Sequence, residues 1–266
     1  MTVRNWSELL AGMSSPRQRP VFTCFTRPFT HAPMRRTRLF FAALLCCACS
    51  SEPESPKDPI AKGDFLLARG DTSGAQAAYR LALGQDSLNA DLLARMGRIY
   101  ASQGKAEPAD VYLRRAADLT FRRGLTALQT GDRQAARAAF AHTLAIIPAH
   151  PLALLQLGDL SLLSDEDAKA LEYFEQAIEA NPDYAEGYTK AGKLYLRQRR
   201  FAEAERAFET SIELNINSAD AYLGLGELFQ LQQNPSAAAE QYRKVLLIDP
   251  RSPLALAALT RLSSHP

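Results

Sequence analysis

Residues 158–182 read GDLSLLSDEDAKALEYFEQAIEANP, and residues 192–216 read GKLYLRQRRFAEAERAFETSIELNI. Aligned on their first glycine, the two stretches carry alanine at the same offset (Ala170, Ala204), phenylalanine four residues on (Phe174, Phe208), and a small residue three further (Ala177, Ser211). Extending the register outward finds six glycines: Gly63, Gly97, Gly124, Gly158, Gly192 and Gly226. They are spaced by 34, 27, 34, 34 and 34 residues. Twelve residues after each glycine stands an alanine: Ala75, Ala109, Ala136, Ala170, Ala204 and Ala238. Sixteen after it stands a large apolar residue: Tyr79, Leu113, Phe140, Phe174, Phe208 and Tyr242.

Within each unit apolar residues recur at three and four, the period of an amphipathic helix, so a unit is two helices joined by a turn. Small residues on both helices let the backbones approach, and the large residue one turn later fills the space beside them. Pro148, Pro182 and Pro250 stop the second helix of their units, because proline cannot continue the hydrogen-bond ladder. One such hairpin cannot bury its apolar face alone and must stack on copies of itself.

These columns resemble the tetratricopeptide repeat family over roughly residues 56–252. The resemblance implies an all-α fold, a right-handed α-solenoid of six helix pairs. PLALAALTRL (253–262) reads as a C-terminal capping helix. The expected organisation is an extension over 1–33, a signal over 34–48, a tether over 49–58, six repeats over 59–252, and the cap and tail over 253–266. Gly97 to Gly124 is seven residues short, two helical turns. No glycine or proline interrupts YLRRAADLTFRRGL, so the second helix of repeat two is expected to run into the first helix of repeat three.

The amino end reads differently. MRRTRLFFAALLCCACSSEPESPKD (34–58) has a positive leader, a short apolar run and small residues. That is the layout of a secretory signal, and the run is far shorter than the ~20 residues that span a bilayer. It resembles a bacterial lipoprotein signal, which implies lipidation of a cysteine after a small residue; Cys49 after Ala48 fits, with Cys47 the other candidate. Ser50 then implies the outer membrane, periplasmic face. Met34 is the expected start, with residues 1–33 preceding it. The Ser-, Pro- and Glu-rich segment after Cys49 is expected to be an extended tether.

Charge and residue chemistry narrow the function. Residues 1–48 hold seven Lys/Arg and one acidic residue, while the remainder holds 24 basic and 28 acidic residues. The repeats are mildly acidic, which gives no reason to invoke nucleic acid. Cys24, Cys46, Cys47 and Cys49 all precede the repeats, so the solenoid has neither a disulfide framework nor a thiolate metal site. His142 and His150 lack a partner at metal-ligand spacing, and no glycine-rich phosphate loop is present. The expectation is a non-enzyme with no cofactor, no metal and no small-molecule substrate.

Function then falls to surface. In the family the first helix of each pair lines the inner face, which places an inward stripe at −6, −3, +1 and +4 from each glycine. The stripe nominates Phe121, Leu125, Leu128, Leu152, Leu155, Asp159, Leu162, Lys193, Leu196 and Leu223 as protein-binding residues. Two readings of its leucines stand open: a groove for a partner helix, or burial between repeats. Members that clamp a terminal carboxylate use lysine and asparagine on this stripe; here Leu, Ala, Thr and acids stand there. Arg114, Arg115, Arg122 and Arg123 flank the short join and read chiefly as a solvated helix face. Six units behind a lipoprotein signal resemble the pilotin lipoproteins of type IV pilus systems, which implies an outer-membrane secretin subunit as partner. A scaffold for cell-wall enzymes or outer-membrane assembly machinery, and a non-catalytic subunit of an envelope enzyme, are the alternatives.

Overall fold

The computed structural model describes residues 55–264. The expected extension, signal and Cys49 lie outside these residues. Among the described residues the chain forms twelve α-helices and no strand. α1 (Pro59–Ala68) pairs with α2 (Thr72–Gln85), α6 (Pro151–Leu162) with α7 (Asp167–Ala180), α8 (Ala185–Arg197) with α9 (Phe201–Leu214), and α10 (Ala219–Leu231) with α11 (Pro235–Ile248). α3 (Ala90–Ser102) and α5 (Arg133–Ile146) flank the long α4 (Ala106–Gln129), and α12 (Pro253–Ser264) closes on α11. The result is a helical solenoid of six pairs and a terminal helix.

The glycine column explains how each pair closes. A Cβ placed on Gly63, Gly97, Gly124, Gly158, Gly192 or Gly226 would fall inside 3.0 Å of Tyr79, Leu113, Phe140, Phe174, Phe208 or Tyr242 respectively. Each large side chain of the second helix thus lies directly on a bare stretch of the first. The alanine column is 0–4% exposed in all six repeats, because any larger residue there would push the second helix off the first. Truncating a buried phenylalanine of this kind costs about 3–5 kcal/mol.

The turns inside the pairs have a register of their own. Seven residues after the glycine the backbone enters the left-handed region, at Gly70, Gly104 and Gly131 (φ 82°, 72° and 79°). Asp165, Arg199 and Gln233 hold the same place in the last three repeats with φ 57°, 57° and 59°. Helix starts are capped by Asp58, Asp71, Asn89, Asp132, His150 and Asn234, each accepting a backbone N–H three residues on.

The short join is a fusion. α4 runs unbroken for 24 residues. Its first half carries Ala109 and Leu113 against Gly97, and its last half carries Gly124 against Phe140. It serves repeat two as second helix and repeat three as first. Pro108 sits in its first turn, where no intrahelical donor is lost. The missing two turns draw α5 back onto repeat two: Ile146 packs with Leu93 and Ala94 of α3, and His142 Nε2 lies 3.2 Å from Asp91 Oδ1.

Candidate binding face

The stripe on the first helices divides into two kinds of column. At −3, Ala94, Leu155 and Thr189 are buried, and Ile60, Phe121 and Leu223 are half-buried. At −6 the chain exposes Asp91, Asp118, Leu152, Glu186 and Asp220; at +1 it exposes Asp64, Arg98, Lys193 and Glu227 and half-buries Leu125 and Asp159. Leu128, Leu162 and Leu196 at +4 are half-buried or buried.

Two nominated residues are therefore corrected. Leu155 is 1% exposed and packs in the core with Phe174 and Leu194. Leu196 is 7% exposed and packs with Ala204 and Phe208. Neither offers a side chain to a partner. The reason lies in how a first helix is surrounded. It packs on its own second helix and also on helices of the neighbouring repeats, so two of its faces are covered and only a narrow strip is left.

The outward strip is not a continuous apolar groove either, because ion pairs cross it between repeats. Asp64 meets Arg95, and Asp159 accepts from Lys190 at 2.9 Å; both pairs join a +1 residue to the −2 residue of the next repeat. Lys190 also meets Glu186 at 3.3 Å, and Lys193 meets Asp220 at 3.1 Å. Burial works against the Lys190 charge, but its bonds to Asp159 and Glu186 outweigh that and hold its pKa above the ordinary lysine range. Burial likewise opposes charge on Asp64, yet hydrogen bonds from the Tyr79 hydroxyl and Arg95 keep its carboxyl below the ordinary range.

Such rungs join repeats one and two, four and five, and five and six; among the described residues none joins repeats two and three or repeats three and four. Lys193 and Asp220 are 27 residues apart, a +1 residue and the next −6 residue; Leu125 and Leu152 stand at the same two places two repeats earlier. Leu152 is 40% exposed, although acids hold that column in four of the other repeats (Asp91, Asp118, Glu186, Asp220). Beside them the Phe121 ring packs at a tilt against Phe140 (5.4 Å between centroids) and His150 (5.3 Å), and Leu128 covers the same cluster. His150 Nδ1 accepts from the Ala153 N–H at 3.2 Å, and burial pushes this imidazole below its usual pKa. The uncharged ring thus forms one wall of an apolar window made by Phe121, Leu125, Leu128 and Leu152. Leu162 and Leu223 lie half-buried elsewhere on the strip, and Asp159 and Lys193 are rungs of the ladder.

The rungs at −2 were absent from the stripe read from sequence. Their signal was there: an acid and a base 31 residues apart occur at Asp64/Arg95 and again at Asp159/Lys190. Among the described residues no group of three or more His, Cys, Asp or Glu is placed to hold a metal, and no helix is long and apolar enough to cross a membrane.

Sequence profiles described as tetratricopeptide repeat match residues 90–122, 121–185 and 189–253. No curated protein sequence matches the chain. Among solved structures, the crystal structure of the APC/C hetero-tetramer Cut9-Hcn1 is similar with a TM-score of 0.51 and 18% identity, over 77% of this chain and 42% of that one. The chain thus spans less than half the length of that relative. The pilF protein of Pseudomonas aeruginosa superposes with a TM-score of 0.49 and 20% identity, over 78% of this chain and 96% of that one. YrrB, a TPR protein with an unusual peptide-binding site, gives 0.43 and 22% over 76% of this chain and 90% of that one. At these identities the likeness is one of fold.

Proposed function

Because this chain belongs to the tetratricopeptide repeat family, we propose that it is a protein–protein interaction scaffold that takes an apolar segment of a partner at the window between repeats three and four. The observation that carries this reading is the pair Leu125 and Leu152. Two columns that are otherwise charged turn apolar at adjacent places, and flanking ion pairs would orient a segment laid across them.

The fold itself supplies the variant that tests it. Lysine and aspartate already occupy this pair of places at Lys193 and Asp220, so Leu125→Lys with Leu152→Asp adds a rung with residues the architecture accepts. Crosslinking and pull-down from membranes with the full chain should recover a partner with the natural sequence and lose it with this double variant. Equal recovery at unchanged thermal stability would reject the window as the site.

The proposed setting is the bacterial envelope, with a lipid anchor on Cys49 at the periplasmic face of the outer membrane, resting on the signal-like segment from Met34. Palmitate labelling should disappear in Cys49→Ser; persistent labelling moves or removes the anchor. Within that setting the partner is a secretin subunit of a type IV pilus system. Deleting the gene should deplete heat-resistant secretin multimers and surface pili, and normal levels of both would exclude this partner.

A further inference from the structure

Successive second helices leave concavities between them, floored by the first helix that lies below. One, of about 270 Å³, opens between α2 and α4 over α3 and is lined by Arg80, Leu83, Leu93, Tyr112 and Arg115 among others. Another, of about 410 Å³, opens between α7 and α9 over α8. Counted from their glycines the two are the same place in the repeat: Leu83 corresponds to Ile178, Arg80 to Glu175, Gly84 to Glu179 and Arg115 to Thr210. The architecture makes the hollow twice and the sequence gives it opposite charge.

The tyrosine three residues after the glycine is also shared, as Tyr100 and Tyr195, and its role is inverted. Arg80 Nη2 donates to the Tyr100 hydroxyl at 3.0 Å, whereas the Tyr195 hydroxyl donates to Glu175 at 2.7 Å. Arg115 is aimed by the Ser87 carbonyl at 3.4 Å. Arg137 and Arg197, by contrast, are taken up by the carboxylates of Glu166 and Asp167. Arg80 and Arg115 instead meet only neutral oxygens, and each guanidinium keeps further N–H donors for another group.

We propose that the hollow between α2 and α4 is a second docking site, for an acidic peptide segment of a partner protein. A carboxylate is held by Arg80 and Arg115 while a neighbouring apolar side chain rests on Leu83, Leu93 and Tyr112. Paired guanidiniums suit a planar carboxylate by forked hydrogen bonds, and the apolar floor excludes water beside them. This site is independent of the window at Leu125 and Leu152.

The test uses the full chain on a positional-scanning array of immobilised synthetic nonapeptides. The natural sequence should select Asp or Glu beside an apolar residue, and Arg80→Gln with Arg115→Gln should lower that signal roughly tenfold. Arg80→Glu should abolish it while folding normally, because glutamate already sits at this place as Glu175. The Leu125→Lys, Leu152→Asp variant should retain the selection, which separates this site from the window. Absence of acidic selection, or equal selection after the arginine substitutions, overturns the proposal. So does equal displacement of all peptides by inorganic phosphate, which would mark a simple anion site, or capture of anionic vesicles with no peptide preference.

Discussion

Lys190 of α8 reaches back 31 residues to Asp159 of α6, placing its ammonium 2.9 Å and 3.0 Å from the two carboxylate oxygens. The two side chains are 22% and 34% exposed, against 49% and 68% for Lys193 and Asp220 one rung on. Exposure decides what each rung contributes, since water screens the outer pair. Lys190→Met should destabilise the chain by about 1 kcal/mol, and Lys193→Met by only a few tenths at most. Urea denaturation of both variants checks the order; equal losses would mean that burial does not grade the ladder.

Gly158→Ala should cost about 1–3 kcal/mol, because its methyl group would overlap the Phe174 ring, which is fully buried and has no room to retreat. Adding Phe174→Leu should recover part of the loss by shortening the group that is struck. Additive losses in thermal melts would argue against that direct contact.

The left-handed turn column makes an opposite prediction. Arg199 and Gln233 hold φ near 57° and 59° where the first three repeats use glycine. Arg199→Gly and Gln233→Gly should each stabilise by roughly 0.5–1 kcal/mol, and Gly131→Ala should destabilise by a similar amount. Melting temperatures that move the other way would show that side-chain contacts of Arg199 and Gln233 outweigh backbone conformation.

His150 sets a pH dependence. Burial lowers its folded-state pKa below the ordinary 6.5, so the folded chain prefers the neutral ring, whose Nδ1 caps α6. The stability this gives is complete above the unfolded value and is lost as pH falls below it toward the folded value. His150→Asn keeps an acceptor at the helix start and does not titrate. The free energy of unfolding, followed from about pH 7 to pH 5.5, should fall less steeply in the variant than in the natural sequence; parallel curves would assign the slope to other groups.

Much of this architecture is legible in the chain itself, and the reason is repetition. Gly63 to Gly226 meet their large partners by the same contact each time, so one physical requirement prints the same residue type at the same place. The fused α4 was readable for the same reason, as a missing two turns without a breaker. The binding strip was less legible. Whether Leu155 faces a groove or a core depends on how far the next repeat overlaps it, and the periodicity of one helix carries no measure of that overlap. The turn column was hidden by Asp165, Arg199 and Gln233, whose side chains do not announce a left-handed backbone. The apolar window is legible in part because Leu125 and Leu152 break columns that are otherwise charged.

The unbroken α4 also bears on how the solenoid comes apart. A stacked array can fray from its ends one hairpin at a time, each boundary acting as a seam. Between repeats two and three that seam is replaced by covalent helix, and Ile146 stitches α5 across it. Under load or heat these two repeats should rupture together, as a single cooperative block in the middle of an otherwise unzippable strip.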